Sequence, residues 1–229
     1  MNIQRVELLT VDLEAQSDFY TNILELPTEP TSSRLLIAAG TTEILFTQAS
    51  PDFDGAYHFA FNIPENQYFA AKKWISSRIP LLRDESGKED FAFESWNSDS
   101  LYFMDLAGNI LEFIARHNLQ NAADGIFNSS QILNVSEIGL PSENVIGWAN
   151  ELCTRLGLSV FKQESNETFT PVGDDNGLFI LPIQNRIWMP DSGVPAKMLP
   201  IKVRGNSDGK DWEVHGVPYE ITYYRLSHY

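Results

Sequence analysis

Residues 5–26, RVELLTVDLEAQSDFYTNILEL, align without a gap on residues 137–158, EIGLPSENVIGWANELCTRLGL, at a constant offset of 132 positions that carries Arg5 onto Glu137 and Leu26 onto Leu158. Leu8 falls on Leu140, Asp12 on Asn144 and Leu24 on Leu156. Identities are few, yet both stretches spell a strand, a helix-capping residue and a helix. Internal self-similarity of this kind constrains architecture before any motif is considered. The chain is expected to hold two related halves, 1–118 and 132–229. Between them, residues 119–131 include the polar, Gly/Ser/Asn-rich run NAADGIFNSSQ, which suits a linker.

Within the first half the order repeats again. Val6, Leu8 and Val11 suggest a strand, and Asp12 suits an N-cap. Leu13, Phe19, Tyr20, Ile23 and Leu24 recur near helical spacing, and Pro27 closes the segment. RLLIAA (34–39) and EILFTQ (43–48) flank an Ala39-Gly40-Thr41 turn and form a predicted hairpin. YHFAFNI (57–63) alternates as a strand. Pro64 and Glu65 are expected to open a helix carrying Phe69, Ala70, Trp74 and Ile75. LYFMDLAGNILEFIA (101–115) makes two strands around an Asp105 to Asn109 turn. The predicted unit is therefore βαβββ, present twice before residue 118. The last module is expected to start at AKMLPIKV (196–203) and end at VPYEITYY (217–224), with its helix missing because too few residues lie between.

Hydrophobic residues make up 43% of the 229, enough to build a packed interior. No apolar run approaches the ~18 residues of a membrane span, and MNIQRVELLT shows no export signal. The one cysteine, Cys153, excludes an internal disulfide and fits a reducing cytoplasm; on its predicted helix it suits the core rather than a nucleophile. A net charge of −15 argues against nucleic acid and anionic membranes as partners. The same charge fits either simple solubility or attraction of a cationic ligand.

Three motifs in order resemble the vicinal oxygen chelate superfamily, which includes glyoxalases, bleomycin-resistance proteins and extradiol dioxygenases. They are VELLTVDLEAQSDFYTNILEL, HFAFNIP (58–64) and YFMDLAGNILEF (102–113). GDDNGLFILPIQNRIWMP (173–190) is similar to double-module bacterial members. The resemblance covers the first half well and the second half through its first strand and helix. It implies an α+β fold of repeated βαβββ modules in curved mixed sheets, the last module truncated, and a divalent metal held by first-strand and last-strand side chains.

Carried over position by position, the ligands within the first half are Arg5, His58 and Glu112, and those within the second are Glu137, Met198 and Glu220. A guanidinium has no lone pair to donate, and a thioether is a poor ligand for hard ions. If the halves pair in swapped fashion, one set becomes Glu137, His58 and Glu112, and the other becomes Arg5, Met198 and Glu220. The first is a one-His, two-carboxylate set suited to Mn, Fe, Zn or Ni. The second is inactive, with Arg5 an anion clamp or a surface charge. The structural alternatives are a buried strand histidine at 58 and solvated glutamates at 112 and 137. Arg186 and Trp188 are candidate substrate-binding residues, with core packing of Trp188 as the alternative. His117, His215 and His228 show no ligand spacing to one another.

Two functions follow. One is a metal-dependent lyase or isomerase acting on vicinal oxygens, with Glu112 catalytic; a ring-cleaving dioxygenase is less expected, because that chemistry favours two histidines. The other is a metal-free protein that binds or sequesters a cationic small molecule. Because the duplication supplies both halves in one chain, a monomer is expected, or a weak homodimer that does not build the site. Light scattering should give a single-chain mass near 25.9 kDa at low concentration. An obligate dimer that unfolds on dissociation contradicts this.

Overall fold

The computed structural model describes residues 1–224, and the chain order is β1 (Asn2–Thr10), α1 (Leu13–Asp18, continued by a π turn over Phe19–Ile23), β2 (Thr28–Pro30), β3 (Arg34–Ala39), β4 (Thr42–Gln48), β5 (His58–Ile63), α2 (Tyr68–Ser76), β6 (Phe91–Phe93), β7 (Ser98–Met104) and β8 (Ile110–Arg116). The second part adds β9 (Asn134–Gly139), α3 (Val145–Leu156), β10 (Phe169–Asp174), β11 (Gly177–Pro182), β12 (Ile201–Ser207), β13 (Lys210–Gly216) and β14 (Glu220–Tyr223). The 132-residue offset is visible in the elements themselves. Strands β1 and β9 begin at Asn2 and Asn134, and helices α1 and α3 begin at Leu13 and Val145. Both helices are capped in the same way: Asp12 accepts from the Ala15 amide at 2.8 Å and Asn144 from the Gly147 amide at 2.9 Å. Each cap satisfies an amide that the helix start leaves without a partner.

The strands form two curved, mixed, seven-stranded sheets. The first runs β14-β13-β12-β1-β4-β3-β2 and the second β10-β11-β9-β5-β8-β7-β6. Neither sheet stays within one half of the sequence. Strand β1 pairs antiparallel with β12, and β5 pairs antiparallel with β9, so each sheet joins a module from either side of residues 119–131. That segment is not a free tether. Phe127 packs into the core against Trp74 and Phe113, and Ala123 and Gly125 accept hydrogen bonds from Gln67.

Two expectations need correction at their boundaries. Helix α2 starts at Tyr68 rather than at Pro64, because residues 64–67 form a turn closed by the Gln67 amide on the Pro64 carbonyl at 2.9 Å. Phe69 consequently points to solvent. The last module's first strand begins at Ile201, so Met198 precedes it. No helix lies among the described residues of that module, as its length required.

One large core fills the space between the sheets and helices, and a smaller aromatic cluster lies on the other face of the second sheet. Strands β5, β8 and β11 are buried at every residue, as strands covered on both faces must be. The Asp105 turn ties the modules together. Its buried carboxylate accepts from the amides of Ala107 and Asn109, the side-chain amides of Asn109 and Gln16, and the Tyr20 hydroxyl. Asn109 in turn accepts from the Tyr57 amide, which places the residue before His58. Gly40 plays a similar part for the hairpin: its φ is +59°, and a Cβ there would come within 1.9 Å of the Leu133 carbonyl. Replacing Asp105 with Ala leaves several buried donors without an acceptor. It should cost about 2–4 kcal/mol in urea unfolding, whereas Asp52→Ala on the surface should leave the unfolding midpoint in place. Equal effects would show that the turn is not a structural hub.

Candidate metal centre and ligand cavity

Alternation along the central strands of the second sheet decides what faces the open side. On β8, Leu111, Phe113 and Ala115 enter the main core, which leaves Ile110, Glu112, Ile114 and Arg116 on the other face. On β5, Phe59, Phe61 and Ile63 are core, so His58 and Ala60 share the face of Glu112. The β5–β9 ladder sets Ala60 opposite Glu137. His58, Glu112 and Glu137 therefore meet, each offering a ligand atom within 4.8 Å of the others'. It is the one such group of His, Cys, Asp or Glu side chains among the described residues. Their exposures are 5%, 2% and 3%, so neither glutamate is the solvated group of the alternative reading, while a buried, backbone-bonded His58 fits both readings.

His58 has a defined orientation. Its Nδ1 lies 3.1 Å from the Ile110 carbonyl, which can only accept, so Nδ1 carries the proton and Nε2 keeps its lone pair. Nε2 is 3.8 Å from Glu112 Oε2. Burial pushes His58 down to about 4, against the opposing pull of the Ile110 carbonyl, so the ring is neutral at neutral pH. Burial first, and then the adjacent Glu137 charge, holds Glu112 well above the usual carboxylate range. Burial raises Glu137 as well, while Arg116 pulls it back down. Tyr102 stands directly across the ladder from Glu112, and burial followed by the charges of Glu112 and Glu137 keeps its phenol protonated.

Arg116 was not anticipated from sequence. It is fully buried, donates through Nη2 to Glu137 Oε1, and lies between the rings of Trp96 (5.8 Å) and Phe161 (5.7 Å). The alternation of ILEFIAR carried the signal, since Arg116 is four residues beyond Glu112 and so on its face. The ladders also define a fourth corner. Glu112 lies two residues beyond Ile110, which pairs with His58; Ile180 lies two beyond Leu178, which pairs with Glu137. Where a fourth donor would complete the pattern there is a hydrocarbon.

Above these residues is a cavity of about 300 Å³, walled by Trp96, Tyr102, Phe169, Ile180 and Trp188, with Arg186 and Glu164 among its lining side chains. Trp188 is buried and packs on the His58 ring at 4.8 Å between centroids. Arg186 is exposed, donates to the Thr168 carbonyl at 3.3 Å, and lies 4.9 Å over the Phe169 ring. Both candidate ligand-contacting residues thus line the cavity.

The other carried-over set does not assemble. Arg5 pairs with Glu7 at 3.0 Å and Glu43 at 2.8 Å, Glu220 is exposed on β14, and Met198 lies outside any strand. His117 bonds Asp99 at 2.9 Å, His215 lies 3.9 Å from Glu213, and His228 is outside the described residues. Cys153 is half-buried on α3, and burial raises its thiol.

Two solved structures place this arrangement among known folds. A Bacillus subtilis protein described as a candidate dioxygenase is 15% identical, covering 94% of this chain and 81% of that one at a TM-score of 0.63. Glyoxalase I of Zea mays is 14% identical, covering 80% of this chain and 66% of that one at a TM-score of 0.52. No family model and no curated protein matches the chain. At these identities the likeness establishes the glyoxalase-like fold.

Gly139 makes room for the Trp188 wall: a Cβ there would lie 2.6 Å from the Trp188 ring. Gly139→Ala should push the indole outward, red-shift its fluorescence relative to a Trp188→Phe control, and cost about 1–3 kcal/mol. Unchanged emission would show that Trp188 does not depend on that gap.

Proposed function

We propose that this chain, which has the vicinal oxygen chelate fold, holds a divalent cation on His58, Glu112 and Glu137 and acts there as a lyase or isomerase on a small molecule with two adjacent oxygens. The observation that supports this is the convergence of one neutral imidazole and two buried carboxylates at the floor of an aromatic cavity. Two carboxylates placed together away from water are costly unless a cation offsets them, and Arg116 offsets only one. Nitrogen and oxygen donors of this kind suit Mn²⁺, Fe²⁺, Zn²⁺ or Ni²⁺. A bound cation supplies Lewis acidity toward ligand oxygens and stabilises negative charge that develops on them.

The chain's own groups have distinct parts. Glu112 is the carboxylate with no hydrogen-bonded cation, which makes it the group able to take and return a proton, beside the Tyr102 hydroxyl. Glu137 is fixed through one oxygen by Arg116. Trp188 orients His58 by ring contact and keeps water from that side. Arg186 meets anionic groups of an entering ligand. With one histidine in the set, ring cleavage by dioxygen is the less favoured chemistry. No helix among the described residues is long and apolar enough to cross a membrane.

A second reading has its own support. Ile180 at the fourth corner and Arg116 on Glu137 both reduce the case for a metal. An aromatic cavity floored by Glu112 would then bind a cationic small molecule without one. Calorimetric titration of the purified protein with Mn²⁺ or Ni²⁺, backed by elemental analysis, separates the two. Near-stoichiometric binding that weakens at least about tenfold in His58→Ala is the expected result. Absence of metal binding at millimolar concentration, with stabilisation by aromatic ammonium ions instead, makes the second reading the correct one.

A further inference from the structure

Buried polar atoms in a folded chain are almost always met by a hydrogen-bond partner, and each exception asks for a physical reason. Several buried side chains carry an unmet polar atom, and among the described residues Trp188 is the one of them that also lines the cavity. It is 6% exposed, and its Nε1–H has no acceptor.

The placement of the ring puts that N–H inside. Gly139 lies two residues beyond Glu137 on β9 and therefore on the same face of the sheet. A Cβ at 139 would meet Cη2 of the indole at 2.6 Å and Cζ2 at 3.0 Å, so this edge of the ring rests on the strand. In an indole one ring atom separates Nε1 from Cζ2, so the N–H belongs to the same edge and lies toward the floor rather than the mouth. His58 packs against the ring at 4.8 Å with 37° between the planes, a contact that leaves the in-plane N–H unmet. Ser95, Glu112, Glu137 and Glu164 also line the cavity, and none of them accepts from it. Ile180, paired with Gly139 across the β9–β11 ladder, adds only hydrocarbon.

We infer that Trp188 determines specificity: its Nε1–H donates to an uncharged acceptor on the ligand, a carbonyl or ether oxygen or a ring nitrogen, carried on the flank of an apolar or aromatic body that faces Gly139. A single neutral donor in an apolar wall suits an uncharged acceptor, because a charged one needs several partners before it leaves water. A ligand without an acceptor there leaves the N–H unmet and displaces any water that had met it. The inference rests on the cavity being the ligand site, which both readings above share, and not on the cation.

Two probes of one shape test it: acetophenone, whose carbonyl oxygen can accept, and α-methylstyrene, in which a methylene group takes the place of that oxygen. Each is titrated into the full-length protein in EDTA, so that no metal–oxygen bond contributes. Calorimetry gives the affinities, and NMR follows the indole N–H resonance of Trp188, identified by its loss in Trp188→Phe. In wild type that resonance should move downfield with acetophenone and not with α-methylstyrene. Affinity for the ketone relative to the alkene should fall at least about tenfold in Trp188→Phe, since the carbonyl then leaves water without its donor. Tryptophan's benzothiophene analogue at position 188, which keeps the shape of the ring and removes only the N–H, should give the same fall.

A ratio that stays within about threefold of wild type in the analogue protein overturns the inference, because a buried hydrogen bond is worth more than that. A ketone that binds without moving the Trp188 resonance overturns it as well. In both cases the cavity remains a ligand site. Binding of neither probe overturns the inference too, by removing the cavity as a site for such molecules. None of these results bears on the Mn²⁺ titration, so the metal-site reading and the role of Trp188 fail separately.

Discussion

The antiparallel ladder between β5 and β9 is the interaction on which the site depends. It sets Ala60 opposite Glu137 and joins a strand from before residue 118 to one from after residue 131. Parallel neighbours on either side, β8 and β11, then bring Glu112 and Ile180 to the same face. Side chains two residues apart share a face and those one apart do not, so a one-residue slip in this ladder would send Glu137 into the main core and remove it from His58. Full burial of β5, β8 and β11 strongly disfavours such a slip, because it would exchange apolar core residues for charged ones.

The two sheets share the order of their first-half modules, β1-β4-β3-β2 and β5-β8-β7-β6, yet differ in what their outer faces carry. On the first, Arg5, Glu7, Glu43, Lys202, Arg204 and Glu213 form paired charges that remain partly in water. Exposed pairs of this kind contribute about 0–1 kcal/mol each and are weakened by salt. On the second, charges lie under aromatic cover, where the cost of leaving water is several kcal/mol per ion and has to be met by specific partners. The difference follows from what covers each face. The segment around Phe161 and the loop bearing Trp188 lie over the second sheet, joined by Phe91 and Phe93 of its own edge strand β6. The truncated last module supplies only a three-stranded meander, β12 to β14, to the first.

Much of this was legible in the linear chain. The offset of 132 residues located both strands, both helix starts and both caps, though the strands begin three residues before the aligned segments, because capping and alternation are local properties written over five to ten residues. The hairpin at Gly40 and the turn at Asp105 were legible for the same reason. The resemblance to a known fold supplied the set His58, Glu112 and Glu137 once swapped pairing was considered, and the structure brings those three together. Helix α2 was placed too early because Pro64 suits a helix start, while the Gln67 amide instead closes a turn on its carbonyl.

What the sequence by itself determined is the repeated module, its caps and turns, and which residues alternate onto which face of a strand. Only the tertiary structure decided that β9 lies beside β5, that Arg116 rather than water meets Glu137, that Ile180 occupies the fourth corner, and that Trp188 closes on His58 over the gap left by Gly139. The reason is physical. Propensity, capping and alternation act through covalent neighbours, whereas strand order, burial of charge and ring packing depend on residues brought together from as far apart as Asn2 and Asn206, whose energies exist only once the chain has closed on itself.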